Sequence, residues 1–291
     1  MEKTERKILR PEQYPSGLRE TPKAPKEMCL IGELPDFEKN VYLAVVGTRK
    51  FSGYGKDACE KIIGGLKGYN FAIVSGLALG IDAIAHRAAL DAGLKTVAIP
   101  GSGLDFSVLH PRTNHRLAEE IIESGGALLS EFDWEEPAGL HTFPQRNRII
   151  AGISRATLVI EAPKRSGALI TANFALDFNR DVFAVPGSIF SENSEGANNL
   201  IKQGAVPVSS ANDILDAFGI AAEKENPKLN FNIQKPSPLE DKILSALDEP
   251  MAKDDLIRKI AEPANEVNTT LSMMQLNGLI KESSGIIRKT I

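Results

Sequence analysis

Cysteine and histidine are scarce. Cys29, Cys59 and four histidines show neither a metal-ligand spacing nor a disulfide framework, so the expected setting is reduced and cytoplasmic. No apolar run reaches the ~18 residues that a membrane span needs, and the opening residues, MEKTERKILRPEQ, are charged and lack an apolar signal core. There is no excess of positive charge: 34 Lys and Arg stand against 38 Asp and Glu, a net charge of -4. That excludes a globally basic nucleic-acid binder but not a local cationic cleft. The usual cofactor motifs are missing too. The first apolar strand runs into GTRKFSGYGKD, which is not G-x-G-x-x-G, and Gly55-Lys56 is followed by Asp57 with no glycine at the earlier P-loop place. No G-x-S-x-G elbow occurs. Together these absences predict no NAD, no ATP, no other cofactor and no enzyme.

Present instead is a regular alternation of short apolar runs and helical patterns. VYLAVVG (41–47), FAIVSG (71–76), TVAIPGSG (96–103), ALLSEF (127–132), ATLVIEA (156–162) and DVFAVPGS (181–188) read as buried strands. Between them, 55–66, 78–93, 113–126 and 167–179 have helical spacing, and 197–205 and 211–219 close the region around a short VPVS strand. Strands alternating with helices over 41–219 predict an α/β doubly wound, mostly parallel sheet. Residues 1–40 hold Pro11, Pro15, Pro22, Pro25 and Pro35 and read as an extended N-terminal arm with little core. Residues 220–237 are polar and proline-bearing, a predicted linker. From 238 to 291, three short helical patterns and a hairpin outline a winged helix.

Ligands of such sheets bind beyond the carboxyl ends of the strands, and the loops there are rich in cations. The first strand ends at Arg49. The second runs through Ser75 and Gly76 into a helix whose start carries Gly80, a place where backbone N–H groups face an anion. The fifth is followed by Lys164, Arg165, Ser166 and Gly167 at another helix start. Arg112 lies in the loop after the third strand and Lys202 in a later helix. The stretch HTFPQRNRIIAG places Phe143, Arg146, Asn147 and Arg148 at the mouth of an apolar segment, where unpaired charge is costly, so its guanidiniums need an anion or a carboxylate. So many cations suit a polyanion better than one mononucleotide, and Phe143 offers a base a stacking face. Asp82 and His86, four apart, could form an acid–base pair, but a hydrogen bond within the helix is the plainer reading.

GTRKFSGYG, SGLALGIDAIAH, LLSEF, FPQRNRIIAGIS, EAPKRSGALITANFAL, DVFAVPGSIF and GANNLIKQGA, in that order, resemble the DNA-processing protein A family, DprA or Smf. The resemblance spans about residues 41 to 218, and the tail resembles the winged-helix domain that many members carry. It implies an extended Rossmann-like domain that binds single-stranded DNA, dimerises, and loads the recombinase RecA onto incoming strands during natural transformation. It also implies DNA contacts by Arg49, Phe143, Arg146, Arg148, Arg165, Ser166, Gly167 and Lys202. Ala168 departs from the family, where serine is frequent.

The tail's third helical pattern, ANEVNTTLSMMQLNG, has no Lys or Arg and one Glu, which disfavours phosphate contact and points to a protein-contact or self-contact role. Two rivals keep the nucleotide but change the function. A phosphoribohydrolase-like enzyme would carry P-G-G-x-G-T-x-x-E; residues 100–106 read PGSGLDF, without the glutamate. A nucleotide sensor would bind one mononucleotide more tightly than a strand.

Overall fold

The runs of Val, Ile, Leu and Ala between residues 41 and 184 are buried on both faces, as expected for parallel strands covered by helices on each side. In the computed structural model, which describes residues 5–221, 237–283 and 285–290, these runs form the middle of one large sheet. The chain forms β1 (Arg6–Leu9), α1 (Ser16–Arg19), β2 (Met28–Gly32), β3 (Val41–Val46), α2 (Gly53–Gly64), β4 (Phe71–Ser75), α3 (Ile81–Asp91), β5 (Lys95–Ala98) and α4 (His115–Glu123). It continues through β6 (Ala127–Ser130), α5 (Thr142–Ile153), β7 (Ala156–Val159), α6 (Gly167–Asp177), β8 (Asp181–Ala184), α7 (Glu195–Lys202), β9 (Val206–Pro207) and α8 (Ala211–Ala217).

The described strands of this unit are ordered β1-β2-β6-β5-β4-β3-β7-β8-β9, and every pair from β6 to β9 is parallel. The chain leaves β3 toward β4, β5 and β6, then crosses back to β7 on the other side, so the switch point lies between β3 and β7. Alternation along β3 sends Tyr42, Ala44 and Val46 to the α5–α7 side and Leu43 and Val45 to the α2, α3 and α8 side. The sheet is the doubly wound α/β architecture expected from the sequence.

The described part of the expected arm, residues 5–40, is built into the sheet and core instead. β1 pairs antiparallel with β2, and β2 pairs antiparallel with β6, with Leu30 opposite Leu129. Leu9, Tyr14, Leu18, Met28 and Leu30 are buried in the same core as α5 and α6. The prolines that suggested an extended segment fall between these short elements, where the missing N–H costs no ladder bond. The apolar run Met28–Ile31 was the signal for β2.

The contacts divide the chain at Ala222–Glu223. Most of the predicted linker, residues 222–236, lies outside the described residues. The second unit comprises α9 (Pro238–Ala246), β10 (Met251–Ala252), α10 (Lys253–Ile260), α11 (Ala264–Leu276), β11 (Ile280–Ser283) and β12 (Ile286–Lys289). Ser237 caps α9 in a reciprocal box with Glu240, and Pro238 takes the first helical position. The β11–β12 hairpin and β10 form a small sheet, and Ile243, Leu256, Val267, Leu271 and Ile287 fill the core of a winged helix.

Candidate nucleic-acid interface

Beyond β3 and β7 the two loops at the switch point are tied together: the Thr48 N–H donates to the Glu161 carbonyl at 2.7 Å. A cavity of about 310 Å³ opens above them. Thr48 and Arg49 line it from the first loop, Phe143, Arg146 and Asn147 from α5, and Arg165, Ser166 and Gly167 from the start of α6. The Thr142 hydroxyl fixes the start of α5 by donating to the Gly101 carbonyl at 2.5 Å. Pro144 lies in the first turn of α5, where its missing N–H costs nothing.

Arg146 forms the floor and is only 4 % exposed. Its Nη1 donates to the carbonyl of Gly76 at 2.6 Å and also to that of Ile99, while its Nε donates to Asn147 Oδ1 at 3.1 Å. Beside it, the buried Asp82 carboxylate accepts the Gly76 N–H at 3.0 Å. Burial pushes Asp82 above the ordinary carboxylate range, and Arg146 opposes that rise. Burial likewise lowers the Arg146 pKa to about 10, Asp82 opposing, so the guanidinium stays charged at neutral pH. A Cβ on Gly76 would collide with both side chains, so glycine is needed for close packing here.

Arg148 points elsewhere. Two helical residues are ~200° apart around the axis, and Arg148 bonds Glu131, which follows β6. Burial raises the Glu131 pKa against the pull of Arg148 and a hydrogen bond from Gln145. The two guanidiniums thus meet different partners: Arg146 the backbone carbonyls and Asp82, Arg148 a carboxylate outside the cavity.

At the mouth, the exposed Arg49 guanidinium lies 5.1 Å from the centre of the Phe143 ring. Phe143 packs onto Gly101, where a Cβ would strike the ring. Arg165 is exposed at the opposite lip. Ser166 caps α6 by accepting the Ala168 N–H at 3.3 Å, and Asn147 Nδ2 reaches the Gly167 carbonyl at 3.3 Å. The amino end of α6 adds a partial positive charge.

Several predicted site residues do not line the cavity. Ser75 is buried and donates to the Val45 carbonyl at 2.6 Å. Gly80 has φ +85° and lets the backbone of Thr48 and Arg49 approach closely. Lys164 pairs with Glu195 at 3.6 Å. Arg112 is exposed in a 3-10 turn before α4, and Lys202 is exposed at the last position of α7. Asp82 and Thr171 line the cavity and were not among the predicted residues. The signal for Asp82 was its place in the first turn of α3, directly after Ser75-Gly76. The plainer reading of Asp82 and His86 as helix partners is replaced: His86 Nδ1 bonds the Thr96 hydroxyl at 2.7 Å, while Asp82 turns to Gly76. Among the described residues, no His, Cys, Asp and Glu group could hold a metal, and no helix is long and apolar enough to cross a membrane.

The fold and crevice define a Rossmann-like α/β protein with a cationic pocket at the switch point, followed by a small winged helix. Residues 7–219 match the family model for DNA recombination-mediator protein A, and residues 227–285 match the model for the DprA winged helix domain. The chain is 39% identical over 282 residues to Protein Smf of Escherichia coli (strain K12), covering 94% of this chain and 74% of that one. The solved structure of DNA processing protein A from Streptococcus pneumoniae matches with a TM-score of 0.67 at 41% identity, covering 72% of this chain and 73% of that one. DNA processing protein A from Helicobacter pylori, solved to describe its single-stranded DNA binding mode, matches with a TM-score of 0.65 at 26% identity, covering 74% of this chain and 96% of that one. The chain belongs to the DNA recombination-mediator protein A family, DprA/Smf.

Proposed function

We propose that this protein binds single-stranded DNA in the switch-point crevice and acts without chemistry of its own, protecting incoming strands and loading RecA onto them in natural transformation and recombination. The observation that carries the binding step is the convergence of Arg49 on Phe143, Arg165 and the α6 amino end around one cavity. Arg49 and Arg165 capture phosphate, the Phe143 ring with its guanidinium neighbour forms the stacking face, and Arg146 holds the floor in shape. The related Helicobacter pylori protein, with its single-stranded DNA binding mode, supports this reading. A homodimer through the Rossmann-like domain, at 41–219, would present two crevices to one strand, and the winged helix at 238–291 serves protein contact or self-contact.

Fluorescence anisotropy of labelled oligo-dT and the matching duplex, with wild type and Arg49→Ala, tests the binding step. The expected outcome is a preference for the single strand that weakens in the variant. Tighter binding of a mononucleotide than of oligo-dT would overturn it in favour of a nucleotide sensor. RecA loading is tested by the lag of RecA filament formation on strands coated with single-strand-binding protein; a lag that this protein fails to shorten rejects that step.

A further inference from the structure

A second cavity adjoins the crevice on the side of β8. About 470 Å³ opens between Ser52 and Tyr54 at the start of α2, Glu161 after β7, and Ser188, Ser191 and Ser194 between β8 and α7. The Thr48–Glu161 backbone bond is the partition, since Thr48 lines the crevice and Glu161 the second cavity. The buried Glu161 carboxylate accepts the backbone N–H and the hydroxyl of Ser52, at 2.9 and 2.6 Å, so its charge is committed to the start of α2.

The loop from Pro186 to Ser194 is pinned at both ends. The Tyr54 hydroxyl donates to the Pro186 carbonyl at 2.6 Å, and Gly187 exchanges hydrogen bonds with the Asn198 side chain. Asn193 Nδ2 donates to the Lys50 carbonyl at 2.9 Å, and the Asn193 carbonyl accepts the Ala162 N–H at 2.8 Å. Between these anchors Ser188 Oγ accepts the Phe190 N–H at 3.2 Å, and the Ser188 carbonyl accepts the Ser191 N–H at 3.1 Å. The corners of this tight turn are Ile189 and Phe190, which are 85 % and 92 % exposed. An anchored turn that holds two large apolar side chains in solvent marks a contact surface.

Among the described residues, the exposed Phe, Tyr and Trp are Phe51, Tyr54 and Phe190, all on these two linked segments. Tyr54 is half exposed and walls the cavity with its hydroxyl anchored. Ser188 and Ser191 flank the corners and line the same cavity, which sets Phe190 at its rim. Arg49 and Lys50, both exposed, directly precede Phe51. Cations followed by aromatic faces are the combination that holds a single strand, the first tracking its backbone and the second its bases. An apolar protein segment would have no use for the cations.

We propose that the strand held in the crevice continues across this partition, with a phosphate at Lys50 and a base in the second cavity, stacked on Tyr54 and covered by Phe190. This extension rests on the reading of the crevice as a single-strand site.

The test is anisotropy of the full chain on a length series of oligo-dT, from the shortest strand that binds to strands several nucleotides longer. Wild type is compared with Arg49→Ala, Lys50→Gln, Tyr54→Ala and Phe190→Ala. Lengthening strengthens binding by wild type. Phe190→Ala loses at least about fivefold on the longer strands, as expected for one stacked base, and nothing on the shortest. Its salt slope is unchanged, whereas Lys50→Gln flattens the slope by about 0.7 on the longer strands alone. Abasic sites in the added nucleotides remove the gain from wild type and cost Phe190→Ala nothing more. Phe190 and Lys50 are exposed, so their variants decide even where Tyr54→Ala, which also loses the Pro186 bond, does not fold. Equal binding of wild type and Phe190→Ala at every length, with Arg49→Ala weakened throughout, overturns the second site and leaves the crevice standing. An Arg49→Ala variant that binds every strand like wild type overturns the crevice reading and this extension together. Full oligo-dT affinity in a Phe190→Ala variant that sediments as a smaller species makes the turn a self-contact and overturns the proposal.

Discussion

Arg146 and Arg49 line the same cavity but carry opposite costs. Removing Arg146 strips the Gly76 and Ile99 carbonyls of a donor and leaves the Asp82 carboxylate buried without its cation. Breaking such a pair costs about 3–5 kcal/mol, so Arg146→Ala is expected to shift the denaturant midpoint strongly. Arg146→Lys recovers little, because one ammonium does not reproduce the planar fork. Arg49 is exposed and rests on an aromatic face, so Arg49→Ala changes stability by less than about 1 kcal/mol while weakening oligo-dT binding. Similar stability losses in the two variants would contradict this division.

His86 gives stability a pH signature. Burial, with Arg146 nearby, lowers its pKa to about 3, below the unfolded value of 6.5. Between these values the unfolded state binds the extra proton, so stability rises with pH across the window and is lost as pH falls from 6.5 toward 3. Raised carboxylates such as Asp82 act in the opposite sense, so the comparison is between wild type and His86→Gln. Denaturant unfolding between pH 6.5 and 4.5 is expected to show a slope steeper in wild type by up to about 1.4 kcal/mol per pH unit. Equal slopes would mean that His86 is charged in the native state.

Among the elements, legibility followed burial. β3, β4, β5 and β7 were readable because strands covered on both faces must be apolar throughout, as VYLAVV and FAIVS are. α5 was harder: Pro144 and two arginines interrupt its apolar positions, and only the helical path shows that Arg146 and Arg148 leave on different sides. The inward turn of Arg146 depends on carbonyls of Gly76 and Ile99, supplied by residues far away in sequence, which no local pattern reveals. β1 and β2 were obscured by the prolines around them, although their burial is plain in the fold. Leu30→Ala distinguishes the two readings of that segment. An arm without a core predicts little change, whereas a side chain buried opposite Leu129 predicts a loss of about 2–5 kcal/mol in thermal or chemical unfolding.

For the whole molecule, a net charge of -4 means that binding a polyanion depends on a local site. The winged-helix segment supplies no net positive charge: residues 238–291 hold seven Lys and Arg against nine Asp and Glu, and α11 has no cation on it. Duplex DNA is therefore expected to bind the full chain weakly, with no gain from the tail. The crevice is more selective than the number of nearby cations suggests. Arg148 is committed to Glu131, Lys164 faces Glu195, and Arg112 and Lys202 lie outside the cavity, which leaves Arg49 and Arg165 at the mouth with Arg146 beneath. Two to three phosphate contacts per crevice give a slope of log binding constant against log salt of about -1.4 to -2.1 for a single strand, since each contact contributes about -0.7. Were all seven cations engaged, the slope would be near -4.9 on the same scale. Anisotropy on an oligo-dT short enough for one crevice separates these values, and Arg49→Ala is expected to flatten the slope by about 0.7 while Arg148→Gln leaves it unchanged. A steep slope that Arg148→Gln reduces would mean that the Arg148–Glu131 pair opens on binding and that the strand reaches past the crevice.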